Sequence, residues 1–163
     1  VSVNDGKLTL DAGGAGGNNT KINSVTIAQY TNQAPLFANA TYNFSVAEDA
    51  GNGTVVNTVS ASDPENGTLT YSITAGNTGN VFAINNNGQI TVANLLNFEA
   101  NNNYSLTVSA TDNGSPALNA TTTVNIVINN VNEAPTLTAA TFSIAEDAAT
   151  GTVVGTASAS DPE

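Results

Sequence analysis

The chain has 163 residues, of which only 9% are charged, and its 13 acidic and two basic side chains give a net charge of −11. That charge excludes nucleic-acid binding, which needs Lys and Arg against phosphates. No apolar run approaches the roughly 20 residues of a spanning helix, so we expect no direct membrane span. The chain has neither His nor Cys, so its Ser and Thr hydroxyls lack a catalytic base. We therefore expect no enzyme.

The first 30 residues differ from the rest of the chain. They contain a predicted hairpin, a flexible glycine-rich loop at 13–17 and a last predicted strand at 20–27. The segments 5–10 and 20–23 resemble the end of a malectin-like, sugar-binding β-domain. We predict that residues 1–30 are the C-terminal tail of a preceding β-domain.

Seven short segments after this tail predict β-strands. Tyr104–Ala110 alternates apolar and polar residues, which places one face in a core and the other in water. Gly- and Asn-rich turns separate the segments. The other six are Tyr42–Val46, Thr54–Ser60, Leu69–Ile73, Val81–Ile84, Gln89–Val92 and Val124–Ile128. About seven strands in ~95 residues predict an all-β fold, a Greek-key β-sandwich.

The chain also contains an internal repeat. Residues 46–65 and 144–163 share 15 of 20 positions, and the segment 130–135 is a clearer copy of the segment 30–35. We therefore predict tandem repeats, with a full repeat at 31–131 and a partial one at 132–163. Two strands cannot bury a core alone. Either the chain is cut from a longer one, or a neighbouring chain supplies the missing strands and the protein forms a homo-polymeric filament.

The acidic residues are confined to a few motifs, whereas solubilising charges would be scattered. From residue 22 onward no basic side chain balances them, which favours a divalent metal as the balancing charge. Calcium prefers six to eight oxygen ligands, and in extended chain Asp63 and Glu65 point to the same side. Nine of the 13 acids lie in these motifs: Glu48, Asp63, Glu65, Glu99, Asp112, Glu133, Glu146, Asp161 and Glu163.

Several of these motifs occur in the order found in cadherin repeats. The motifs are Ser60–Glu65, Leu69–Ile73, Gly88–Ile90, Leu96–Glu99, Tyr104–Asp112 and Asn130–Pro135. The chain thus resembles the cadherin repeat family, in its bacterial cadherin-like form, over 36–135 in full and 136–163 in part. The resemblance implies a cadherin- or immunoglobulin-like sandwich with calcium at the junctions between repeats.

Carried over residue by residue, the resemblance implies two calcium sites. The second junction would use Glu48, Glu99, Asn130, Asn132, Glu133, Asp161 and Glu163. The first junction would use Asp63, Glu65, Asp112 and Asn32, with fewer acids on its upstream side. Asn97 and Asn130 stand where the family has Asp, and we expect these neutral residues to weaken calcium binding.

These features predict a calcium-stiffened extracellular spacer, secreted to the cell surface as part of an adhesin or fibre. Its partners would be neighbouring repeats of the same or an adjacent chain, and surface glycans or proteins. The alternative is a carbohydrate-binding module of a secreted glycan-binding or glycan-degrading protein. That alternative depends on the malectin-like segments near the start of the chain.

Overall fold

A computed structural model describes residues 31–162 of the chain. The chain divides into two compact units, Val1–Tyr30 and Thr31–Glu163. The predicted hairpin, glycine-rich loop and malectin-like segments of the first unit lie outside the described residues, as does Glu163. The predicted domain boundaries remain predictions.

The described residues form β-strands and a single 3-10 turn at Thr78–Asn80. The strands are β1 Leu36–Phe37, β2 Thr41–Ala47, β3 Val55–Thr58, β4 Ala61–Ser62, β5 Thr70–Ala75, β6 Phe82–Ile84, β7 Gln89–Val92, β8 Asn103–Thr111, β9 Asn119–Asn129, β10 Thr136–Leu137 and β11 Ala159–Ser160. No helix in this part of the chain is long and apolar enough to cross a membrane.

Two main sheets build the full repeat. The larger has the order β2-β9-β8-β5, and the smaller has the order β3-β7-β6. β2 runs parallel to β9, with Tyr42 opposite Val124, and every other neighbouring pair is antiparallel. The short β1 and β4 pair with each other in a separate two-stranded sheet.

The core lies between these sheets because alternate residues of the long strands point inward. Leu106, Val108, Val124 and Ile126 are each 0% exposed. Burying each such side chain stabilises the fold by about 1.5–3 kcal/mol. From the smaller sheet Phe82 meets Tyr104 edge to face, with ring centroids 5.2 Å apart.

All seven predicted strands are present, and the all-β sandwich is confirmed. The predicted strand Thr54–Ser60 is too long, because the chain changes partner within it. β3 pairs with β7, the Val59 N–H donates to the Gly88 carbonyl, and β4 then pairs with β1. Two-residue strands such as β1 and β4 are too short to show an alternating pattern.

The partial repeat begins as the full repeat does. β10 and β11 pair antiparallel, with Thr136 opposite Ser160, as Leu36 lies opposite Ser62 in the first copy. Its apolar side chains are largely exposed, Leu137 by 75% and Val153 by 80%. In the described residues the two copies therefore share this first strand pairing.

Candidate metal centre

Three glutamates from separate segments meet at the end of the full repeat that leads into the second linker. Glu48 directly follows β2, Glu99 lies in the loop between β7 and β8, and Glu133 lies after β9. One carboxylate oxygen of each lies within 4.8 Å of the others. Glu48 is buried, Glu133 is half-buried and Glu99 is exposed. The group is therefore accessible from one side.

Glu48 holds this site together through its backbone and its carboxylate. Its N–H donates to the Asn129 carbonyl at 3.1 Å, which anchors it to the end of β9. Its Oε2 accepts from the Phe98 N–H at 2.7 Å, and its Oε1 accepts from the Val131 N–H at 2.8 Å. A carboxylate oxygen has two lone pairs, so both oxygens retain one that can face a cation.

The loop that carries Glu99 is shaped by Asn97. The Asn97 Oδ1 accepts from the Ala100 N–H at 2.5 Å, and its carbonyl accepts from the Asn101 N–H at 3.1 Å. Short polar side chains are favoured at such turns because they bind nearby backbone N–H groups. Asn97 therefore caps the turn that presents Glu99.

The described part of the chain, residues 31–162, contains no Lys, Arg or His. At an effective dielectric of 20, two unit charges separated by 4.8 Å repel by about 3 kcal/mol before screening by salt and solvent. Calcium binds carboxylate oxygens at about 2.3–2.6 Å, in flexible geometries. The donor set therefore fits a calcium ion.

The other residues predicted for the second junction are placed less closely. Asn130 is exposed just after β9, and the Asn132 Nδ2 donates to the Glu133 carbonyl at 3.1 Å. Asp161 is exposed and is not part of the group of three carboxylates. Glu163 lies outside the described residues. Ligand roles for these four residues remain predictions.

At the opposite end of the repeat, Asp112 is buried beside the first linker. Its Oδ1 accepts from the N–H groups of Gly114 and Leu118 at 3.0 and 2.9 Å, and its Oδ2 accepts from the Asn32 Nδ2 at 3.0 Å. The Leu118 N–H holds the pKa of Asp112 below its usual value, although burial acts in the opposite direction. The bonds from Gly114 and Asn32 lower this pKa further.

The two remaining acids predicted for the first junction, Asp63 and Glu65, lie in one turn, in which the Asn66 N–H donates to the Asp63 carbonyl. The Asp63 Oδ1 accepts from the N–H groups of Glu65 and Gly67 at 2.9 and 2.8 Å. Its Oδ2 is buried and accepts no hydrogen bond from the described residues. Glu65 accepts from the backbone N–H and the Nε2 of Gln33 at 3.0 and 2.7 Å. Sequence reasoning missed Gln33, whose only signal is its place next to Asn32.

Among the described residues, the three-glutamate group is the only set of three or more acids close enough to share a metal. Asp63, Glu65 and Asp112 do not form such a set. The calcium site at the first junction therefore stays a prediction, and the two ends of the repeat differ in their geometry.

Comparison with known proteins agrees with the fold. The family model of the cadherin domain matches residues 42–129. The protocadherin-like wing polarity protein stan of Drosophila melanogaster is 40% identical over 145 residues, which are 85% of this chain and 4% of that protein. Mouse cadherin-24 is 35% identical over 166 residues, covering 91% of this chain and 21% of that protein. The chain thus spans only a small part of these relatives.

Solved structures give the same result. The extracellular cadherin domains 1–5 of protocadherin gamma B2 are 32% identical, with a TM-score of 0.57 over 61% of this chain and 21% of that one. Mouse cadherin-23 EC22–24 is also 32% identical, with a TM-score of 0.59 over 79% of this chain and 44% of that one.

The profile match covers more than half of the chain, and the solved neighbours share its strand architecture. Cadherin domains are extracellular adhesion modules and not enzymes, so the predictions of a non-enzymatic chain and an extracellular location are confirmed at the level of the domain. The chain belongs to the cadherin domain family.

Proposed function

We propose that this chain is a calcium-stiffened spacer of a cell-surface adhesin or fibre. The observation that supports this most strongly is the origin of the three glutamates. Glu48 and Glu99 belong to the body of the repeat, whereas Glu133 belongs to the linker that leads into the next copy. One cation bound by all three would tie the linker to the body.

The residues of the chain prepare this joint. Glu48 fixes the start of the linker through the Val131 N–H and the Glu99 loop through the Phe98 N–H. Glu133 then lies beside two other negative charges, which push the linker away from the body. Calcium, when bound, supplies the balancing positive charge. The joint is expected to flex without the metal and to be stiff with it.

The remaining ligands belong to the same proposal. Asn130 and Asn132 would add neutral oxygens from the linker, and Asp161 and Glu163 would add carboxylates from the second repeat. Fewer charged ligands weaken a calcium site. We therefore expect weaker binding than at a junction where every linker ligand is acidic.

The proposed partners are neighbouring repeats, from the same chain or from a second copy. The exposed apolar side chains of the partial repeat, such as Leu137 and Val153, support association with further strands. A solved structure of protocadherin gammaB7 EC3–6 is a cis-dimer, which supports association with a second copy. Surface glycans or proteins remain proposed targets of the whole molecule.

Thermal melting and small-angle scattering, each in calcium and in chelator, test the proposal. Calcium at about 100 times its Kd should stabilise the repeat by about 2.7 kcal/mol. For a domain of about 100 residues this corresponds to a rise of roughly 10–20 °C in Tm. Calcium should also increase the maximum dimension of the particle. An unchanged Tm and an unchanged scattering profile would contradict the proposal.

A further inference from the structure

The first linker contacts its repeat through hydrogen-bond donors. The Asn32 Nδ2 donates to the Asp112 Oδ2 at 3.0 Å and to the Pro116 carbonyl at 2.9 Å. Gln33 donates its backbone N–H and its Nε2 to the two carboxylate oxygens of Glu65, at 3.0 and 2.7 Å. N–H groups therefore reach the acids that sequence reasoning assigned to calcium.

The Asn32 and Gln33 side chains thus turn their N–H groups, and not their amide oxygens, towards the carboxylates. A cation shared by linker and repeat would need oxygen ligands from both. The Asn32 amide cannot be flipped, because its Nδ2 donates to two acceptors. An amide oxygen in that place has no proton to donate, so both hydrogen bonds would be lost. The Gln33 backbone N–H cannot be reversed at all. Hydrogen bonds to charged acceptors are stronger than those between neutral groups, so the amides themselves stabilise the carboxylates.

Gly114 provides independent evidence that Asn32 is closely packed. A Cβ placed on Gly114 would overlap the Oδ1, Cγ and Nδ2 atoms of Asn32. No such overlap exists at Gly51, where nothing lies within 4 Å of the added atom. The Asn32 amide therefore lies against the Gly114 backbone, beside the buried Asp112 carboxylate.

We infer that the first linker is docked on its repeat by an amide clamp, Asn32 on Asp112 and Gln33 on Glu65, that needs no divalent cation. The two ends of the repeat then respond differently to calcium. At the second linker three carboxylates converge, whereas at the first linker amide donors replace the metal. The inference uses residues that the proposed metal centre does not use, so either can fail alone.

One atom argues for a cation at the first linker. The Asp63 Oδ2 is buried without a hydrogen bond from the described residues, and a buried carboxylate oxygen usually has a partner. The test therefore has to measure calcium binding at this end separately from the three-glutamate site.

Hydrogen exchange by NMR on the full chain tests the clamp directly. In the Glu48→Gln background, which weakens the three-glutamate site, the Gln33 N–H should exchange equally slowly in calcium and in chelator. Glu65→Ala should speed that exchange by about tenfold or more, since a hydrogen bond to a charged acceptor is worth about that factor. Protection that appears only with calcium would overturn the clamp, as would an unchanged rate in Glu65→Ala.

Two further variants examine the Asn32 half of the clamp. Gly114→Ala should displace Asn32, shift its side-chain NH2 resonances towards those of exposed amides and leave the buried Leu106 amide protected. Gly51→Ala is the matched control and should change none of these signals. Unmoved Asn32 resonances in Gly114→Ala, with a folded core, would contradict the packing described above.

A charge exchange separates an amide clamp from a metal site. Asn32→Asp combined with Gln33→Asp places like charges opposite Asp112 and Glu65. In the Glu48→Gln background, the backbone N–H of residue 33 in this double variant should exchange fast in chelator and slowly in calcium. Calcium dependence in the parent without the double variant would show that this end binds the ion by itself, and would overturn the inference.

Discussion

At the residue scale, Glu48 has a structural and a proposed metal-binding role. Its two carboxylate oxygens accept N–H groups from the Glu99 loop and from the second linker, so it orders both segments before any ion arrives. It is 8% exposed, and its charge therefore costs more to bury than that of Glu99. Among the three glutamates Glu48 is the most buried, and two backbone N–H groups fix its carboxylate.

Replacing this charge provides a direct test. Glu48→Gln keeps the side-chain volume and removes one of the three negative charges. If calcium affinity falls about tenfold, the stabilisation at a calcium concentration of about 100 times the wild-type Kd falls from about 2.7 to about 1.4 kcal/mol. The calcium-induced rise in Tm, measured by calorimetry, should thus fall to about half of the wild-type value or below.

Asp49→Asn is the matched control. Asp49 is the next residue along the chain and is exposed, and it is not part of the three-glutamate group. This variant should keep the full calcium-induced rise in Tm. A Glu48→Gln variant with an undiminished rise would show that calcium binds elsewhere.

Asp112 predicts a pH dependence at the other end of the repeat. Its folded-state pKa is lowered, mainly by the Leu118 N–H. The stability it contributes is therefore present above the unfolded pKa of about 3.9 and is lost as pH falls through the lower folded value. In chelator, Tm should fall more steeply with acidification in wild type than in Asp112→Asn. Equal slopes of Tm against pH for wild type and Asp112→Asn below about pH 4 would contradict this assignment.

At the element scale, the sandwich depends on close approach of backbone at two turns. Gly76 and Gly88 have φ values of +81° and +74°, and a Cβ on either would overlap a carbonyl oxygen, of Ser105 and Val59 respectively. The Gly76 turn thus packs directly on β8, next to Leu106 in the centre of the core. The glycines at these turns are required by space as well as by conformation.

Gly53 allows the two effects to be separated. It has a φ of +88° but open space around its Cα. Gly53→Ala should cost about 1–2 kcal/mol from backbone strain alone. Gly76→Ala should cost about 1–3 kcal/mol more, because the added methyl displaces β8. Chemical denaturation of both variants measures the difference, and equal costs would show that the Gly76 turn does not press on β8.

At the scale of the whole molecule, the strands were predictable from sequence and the ends of the repeat only in part. Alternation along Tyr104–Ala110 is a local signal that survives folding as the buried face of β8. By contrast, Glu48, Glu99 and Glu133 are far apart in sequence, and only their resemblance to cadherin motifs grouped them. Periodicity carries no information on distances across a sandwich.

The first linker shows what sequence reasoning lacked. Asn32 was expected to offer oxygen to a metal, whereas its nitrogen donates to Asp112. An amide side chain has an oxygen acceptor and a nitrogen donor. Which of the two faces the site depends on the surrounding groups, here the acceptors of Asp112 and Pro116. Gln33 had no signal beyond its place next to Asn32, because its role depends on the distant Glu65.

The proposed asymmetry has a mechanical consequence for the molecule. A linker held by amide donors should keep its geometry at any calcium concentration, whereas the linker at Glu133 should stiffen only when calcium is present. Calcium would then control bending at one end of the repeat alone. In such a spacer, the residues of each linker would decide whether that joint bends when calcium is absent.

Crystallography of the chain grown in calcium, with anomalous difference maps, tests the central claim most directly. The account predicts a peak between the carboxylates of Glu48, Glu99 and Glu133, with oxygen ligands at about 2.3–2.6 Å. It predicts no peak bound by Asp112 and Glu65 around the Asn32–Gln33 linker. An empty three-glutamate group at saturating calcium, or an ion at the first linker in its place, would contradict it.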